Sequence, residues 1–237
     1  MSDGKMRTRR LLILASGLAG CGFSVSGCDE SGSRHEHTAK EVTAVEDLMR
    51  DHGVLRRALL LYAVAAVRLT QNPAGVAPNV INRTAMLFRR FGEDYHERAI
   101  EERYVFPTIR QVGGDVSRLV DTLIAQHNRG REITDYILHV TGSGQIRGAA
   151  DVLARAMNSF AWMYQNHAAR EDTLVFPAWK EVLSDDRYEE MTTRFGELEG
   201  QIGEESFADA VAEMGRIEDA FGLDDLAQFT APPPPKL

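Results

Sequence analysis

Two stretches of this chain are near copies of one another: HERAIEERYVFP at 96–107 and HAAREDTLVFP at 167–177. Each sets a histidine, then a carboxylate, then an aliphatic-Phe-Pro ending. An isolated histidine precedes each copy, His52 by 44 residues and His127 by 40. This pattern constrains the fold more than composition does. One inward histidine is ordinary core, but four histidines and their glutamates on apolar faces are very costly to bury unless they hold something. The arrangement is a duplicated half-site, suited to closing on a pair of metal ions.

If the four segments are helices around one core, each presents a turn bearing nitrogen or oxygen ligands. That mixture suits iron, with manganese as the alternative, better than magnesium or calcium, and helix bundles build such sites from facing helices. Glu171 follows His167 by four residues, about 40° around a helix, so the two side chains point the same way. The first copy departs from this spacing. Glu101 follows His96 by five residues, about 140° around an ideal helix, and Ile100 holds the position expected for the carboxylate. Either a π-type bulge restores the register or a long Glu side chain reaches across. Aligning EERYVFP with EDTLVFP pairs Glu101 with Glu171. Glu97, directly after His96, lies four residues before Glu101 and on nearly the same face.

With these residues in place, the chain resembles the hemerythrin-like (HHE, cation-binding) family over roughly residues 45–185. The resemblance implies an all-α, up-down-up-down four-helix bundle holding a non-haem, oxo- or hydroxo-bridged di-iron centre. By position it implies the ligands His52, His96, Glu101, His127, His167 and Glu171, with the two glutamates as bridges. One departure matters. Oxygen-carrying members have a further histidine four residues after the one matched by His127, and here that position is Arg131. Glu97 is the candidate replacement, which makes a set of four His and three Glu.

An anionic carboxylate in place of a neutral imidazole favours the ferric over the ferrous state by Coulomb attraction. The expectation is therefore a site less suited to reversible oxygen carriage than to redox chemistry or sensing, and the leading reading is a centre that binds O2 or a related small oxidant, peroxide or nitric oxide, for sensing, storage or delivery. The alternatives are a di-iron enzyme acting on peroxide, nitric oxide or ferrous iron, and an envelope iron-handling protein. Arg131, and Arg56 at the same offset from His52, are candidates to stand near an open coordination position. Tyr104 and Tyr164 are candidate hydrogen-bond donors to a ligand or to the bound molecule.

The rest of the chain concerns placement. There are 27 basic and 35 acidic residues, a net charge of −8, and no basic cluster beyond the N-terminus, so nucleic acid is not an expected partner. Residues 1–28 read as an export signal: basic KMRTRR at 5–10, then an apolar run too short to span a membrane. TRRLLIL resembles a twin-arginine signal, and LAGC at 18–21 and VSGC at 25–28 resemble lipoboxes. Lipidation of Cys28 or Cys21 would tether the protein to a bacterial membrane, giving a periplasmic or cell-envelope location. Both cysteines lie outside the bundle and so outside the ligand set.

A polar linker spans 29–40, and its His35 and His37 read as solvated. The bundle is expected over 41–184, with helices from Thr38 or Thr43 to the NPAGVAP turn, at about 79–111, at about 115–140 and at about 146–183. Pro107 and Pro177 are expected to bend or break their helices. Beyond lie a C-terminal helical extension at 185–222, which either caps the bundle or forms a homodimer contact, and a Pro-rich tail at 223–237.

Overall fold

The structure, a computed structural model, describes residues 42–144, 146, 148–201 and 206–235. The export signal, the linker and both cysteines lie outside the described residues. Among the described residues the protein is all helix, with no strand, and no helix is long and apolar enough to cross a membrane.

Helix α1 (Ala44–Gln71) shows how the site is built into the core. Its buried face runs through Leu48, Leu55, Leu59, Tyr62, Ala66 and Leu69 at spacings of three and four. His52 fills the one place in that series where an apolar residue is missing, which puts a polar ring inside the bundle. Glu46 accepts from the Thr43 backbone N–H at 2.9 Å and fixes the start of the helix. The NPAGVAP turn ends it, and Pro78 opens α2 (Pro78–Leu87) at a position where no backbone donor is needed.

Helix α2 runs without a break into a π-helical segment (Phe88–Val105) and then α3 (Phe106–Val112). Gly113 and Gly114, with φ of 76° and 74°, turn the chain into the short α4 (Gly114–Ser117) and α5 (Leu119–Gly142). The fourth rod is α6 (Ala150–Arg170), a five-residue π segment (Glu171–Val175) and α7 (Phe176–Val182). Around the bundle, α1 packs on α6, α6 on α5, α5 on α2 and the first π segment, and that segment on α1.

The prolines do not end their helices. They change the register instead. The Phe106 N–H donates to the Glu101 carbonyl and the Phe176 N–H to the Glu171 carbonyl, both across five residues. Proline lacks a donor and its ring crowds the carbonyl four residues back, so the turn before each proline widens by one residue.

Two further helices, α8 (Asp185–Gln201) and α9 (Phe207–Phe221), cover the bundle on the side of α1, α2 and the first π segment. Phe195 and Leu198 of α8 and Met214, Ile217 and Phe221 of α9 are buried there, and Phe195 stacks on Trp179 with centroids 5.7 Å apart. Ion pairs tie the layer down: Arg50 to Glu199 at 2.6 Å, Arg83 to Glu213 at 2.8 Å, and Arg57 to Glu218.

Candidate metal centre

The folded chain brings His52 (α1), His96 and Glu101 (first π segment), His127 (α5), His167 (α6) and Glu171 (second π segment) to one point inside the bundle, all buried. Two groupings share Glu101: His52, His96 and Glu101, and Glu101, His127, His167 and Glu171. Within each, the potential ligand atoms lie within 4.8 Å of one another. The first π segment carries His96 and Glu101 on the same side despite their five-residue spacing, and the Glu101 Oε1 is 3.2 Å from the His96 Nε2.

Each glutamate faces both halves. The second Glu101 oxygen lies 3.4 Å from the His127 Nε2. One Glu171 oxygen lies 3.0 Å from the His167 Nε2 and 3.5 Å from the His52 Nε2. The His96 Nε2 and all four carboxylate oxygens of Glu101 and Glu171 are buried with no hydrogen-bond partner. Unsatisfied buried polar atoms are rare and costly, and here they converge. Nitrogen lone pairs and carboxylate oxygens converging in this number are the donor set of a transition-metal site, so the residues fit a metal pair.

The opposite nitrogen of every histidine is held. His52 Nδ1 lies 2.7 Å from Asp172, His96 Nδ1 3.1 Å from Asp51, His127 Nδ1 2.9 Å from Glu102, and His167 Nδ1 2.9 Å from the Gln126 carbonyl oxygen. An acceptor at Nδ1 places the proton there and turns the Nε2 lone pair inward, as metal-binding histidines require. These four partners were not singled out from sequence, although their positions follow a rule. Asp51 and Gln126 directly precede the isolated histidines, and Glu102 and Asp172 directly follow the shared glutamates.

Without metal, protons hold the charges apart. The His127 and His167 Nε2 atoms are 3.1 Å apart, close enough to share one proton. Burial works against charge on His127, but Glu97, Glu101 and Glu102 outweigh it and push the ring up to about 10. Burial and the charge on His127 push His167 down to about 3. Likewise burial and Glu101 hold Glu171 well above the usual carboxylate range, whereas His96 and His127 hold Glu101 well below it against its own burial. A metal pair would replace these protons, so binding releases them.

Glu97 is held by two donors. Its Oε1 accepts from the Tyr164 hydroxyl at 2.6 Å and its Oε2 from the Arg131 guanidinium at 3.0 Å. It lies outside the two groupings that share Glu101, and with Glu102 and His127 it forms a third set whose potential ligand atoms lie within 4.8 Å of one another, with Arg131 paired to both of its carboxylates. Arg56 pairs with Asp172 and so backs His52. Tyr164 is buried beside the centre, and burial with Glu97 keeps its hydroxyl protonated. Tyr104 is turned away. Its hydroxyl accepts from the Arg194 Nε at 3.1 Å, because the widened turn brings Val105 and Phe106, not Tyr104, back over the ligand face. His139 is exposed.

A further buried carboxylate that sequence reasoning passed over is Glu93, bonded to the Thr134 hydroxyl and pushed up to about 7 by burial and by Glu97. Its only signal was its place four residues before Glu97. A small cavity of about 10 Å³, enough for one water-sized molecule, is lined by His52, His96, His167, Glu97 and Glu101, by Leu55, Arg56 and Leu59, and by Tyr164 and Ala168.

Comparison with known proteins decides the family. The model of the hemerythrin HHE cation binding domain matches residues 43–179, the span from the cap of α1 to the middle of α7. The chain belongs to this family. Uncharacterized proteins from Mycobacterium tuberculosis (strain H37Rv) and Mycobacterium bovis are 39% identical to it over 233 residues, covering 94% of this chain and 90% of theirs. No solved structure matches the chain significantly. Membership implies metal cation binding, and the buried histidines and glutamates are the candidate ligands of this hemerythrin-like domain.

Proposed function

We propose that the protein holds two non-haem iron ions and binds O2 or a related small oxidant beside them. His52 and His96 would hold one ion, His127 and His167 the other, and Glu101 and Glu171 would span both. The observation that carries this reading is the pair of shared glutamates, whose orphaned oxygens meet histidines from both halves, through two oxygens of Glu101 and one of Glu171. Bound iron would supply electrons and an open coordination position. The chain's own residues fix the imidazoles through their Nδ1 partners, keep bulk water out, and offer one water-sized space beside His52 and His96. A space of that size suits a small molecule on the scale of water.

A second reading, an enzyme acting on peroxide or nitric oxide, is favoured by the Tyr164 hydroxyl and Glu97 at the wall of the same space, where general acid–base groups are wanted. Export through the leader and a lipid on Cys28 or Cys21 rest on the sequence alone, and the mass of the mature N-terminus tests them.

The deciding experiment is metal analysis of the purified full chain, with optical spectra of the reduced protein in anaerobic buffer, in air and with peroxide. Two irons per chain and a reversible spectral change in air support a carrier or sensor. Irreversible oxidation with peroxide consumption supports the enzyme. A chain that binds no metal overturns the proposal.

A further inference from the structure

Gly130 sits inside α5, three residues after His127, where a glycine weakens the helix and needs a reason. The reason is Tyr164. A Cβ built at position 130 would lie 2.0 Å from the Tyr164 hydroxyl and 2.8 Å from two ring carbons. Phe88 and Phe160 pack the same ring from other sides, with centroids 5.0 and 4.7 Å away, so it has little freedom to move. The missing side chain is the notch into which the hydroxyl fits, and from there it donates to Glu97. Arg131, the next residue, takes the other Glu97 oxygen and is itself tied to Asn128 and Glu102.

Resting on the metal centre proposed above, we infer that Gly130 is a positioning residue: through Tyr164, and together with Arg131, it holds the Glu97 carboxylate at the cavity wall and keeps a coordination position free for the small molecule. Glu97 lines the same cavity as His52, His96 and Glu101, and it is an anion one residue from a ligand. Left loose, such a carboxylate would turn to the metal. Two donors, one of them charged, make that turn unfavourable. The equivalent place in the other half, directly after His167, is Ala168, which offers no ligand atom and leaves its share of the cavity open. One half is kept open by composition, the other by the clamp.

Two measurements on the full chain test this. The first uses metal-free protein and reads only the notch. Alanine forms helix better than glycine, so without the notch Gly130→Ala would raise the urea midpoint. The expected result is a lower midpoint, with the same substitution raising it in a Tyr164→Ala background; a rise in the native background overturns the notch. The second titrates reduced, iron-loaded protein with nitric oxide, read optically. Gly130→Ala and Tyr164→Phe are each expected to weaken binding about tenfold, the scale of one hydrogen bond to a charged group. Adding Glu97→Ala to either should restore it.

Unchanged nitric oxide affinity in Tyr164→Phe, or a loss that Glu97→Ala does not rescue, overturns the inference even if Gly130→Ala fails to fold. Failure of the chain to bind iron overturns the proposed centre, which the midpoint measurement does not depend on.

Discussion

The half-site carried by α1 and the first π segment and the one carried by α5 and α6 follow one plan. In each, an isolated histidine is preceded by the residue that holds the other histidine of its own half: Asp51 for His96, Gln126 for His167. In each, the shared glutamate is followed by the carboxylate that holds the isolated histidine of the other half: Glu102 for His127, Asp172 for His52. An arginine four residues after each isolated histidine pairs with that carboxylate, Arg56 with Asp172 and Arg131 with Glu102. The halves part in three places. Asp51 is an acidic residue, its carboxyl pKa raised by burial against the pull of the His96 ring, where Gln126 is an amide; Glu97 has Ala168 as its counterpart, and His96 and Glu101 are five residues apart where His167 and Glu171 are four. What repeats is the frame that aims four nitrogen lone pairs inward. What differs sets charge and access.

The first way to test that comparison is to remove the two unequal partners. Asp51→Ala leaves the His96 Nδ1 without its acceptor and is expected to weaken iron binding on the order of 10–100-fold, the usual cost of losing such a partner. Gln126→Ala should cost less, because a neutral amide makes its histidine less basic than a carboxylate does. Gln126→Asp should strengthen binding. Competition with a chelator of known affinity reads all three, and equal losses from Asp51→Ala and Gln126→Ala would break the claim that charge distinguishes the halves.

The next effect is a pH dependence of the metal-free chain, carried by His127; His96 in the other half acts in the same direction, since burial works against its charge but Glu101 and Asp51 outweigh it and hold the ring well above the ordinary histidine range. The His127 pKa in the folded, metal-free chain is about 10, against 6.5 for an ordinary histidine. The folded value is raised, so the stability His127 contributes is fully present below about pH 6.5 and is lost as pH climbs through about 10. His167, pushed down to about 3, is neutral above pH 6.5 in both folded and unfolded chains and adds no slope there. Metal-free protein should therefore show a falling urea midpoint between pH 7 and 10. Iron-loaded protein, with metal where the proton was, should stay level, and parallel curves would count against protons and metal occupying the same place.

Much of this was legible in the sequence, for a physical reason. Buried polar residues at apolar positions stand out against a helical period, so His52, His96, His127, His167 and Glu171 were visible from spacing, and Glu101 from the repeated ending. Helix limits were visible from Gly113-Gly114 and the NPAGVAP turn. The Nδ1 partners were not, because Asp51, Glu102, Gln126 and Asp172 look like ordinary helix-surface residues until the rods are packed side by side. Tyr104, a candidate donor to the ligand, lies instead at the α8 interface, because the turn before Pro107 is widened. Gly130 read as nothing, since a notch exists only where another helix fills it.

The smallest expected effect concerns the covering layer of α8 and α9, which lies mainly against α1, α2 and the first π segment. Helix α1 begins beneath α8, where the Ala44 N–H donates to the Thr192 hydroxyl at 3.0 Å and the Val45 N–H to the Tyr188 hydroxyl at 3.2 Å. A helix leaves its first N–H groups without internal partners, so α8 side chains add to the local Thr43–Glu46 cap of α1. Helix α5 begins with no side-chain cap. Thr192→Val keeps the shape and removes the acceptor, which should cost about 1 kcal/mol of stability, the usual worth of a cap. Amide exchange should speed up at Ala44 and Val45. Because His52 lies two turns further along α1 and is held by Asp172 from another helix, iron content should not change. If Thr192→Val lowered iron content as well, the covering layer would have to be counted as part of the half-site it shelters, and the two halves would differ in their support as much as in their charge.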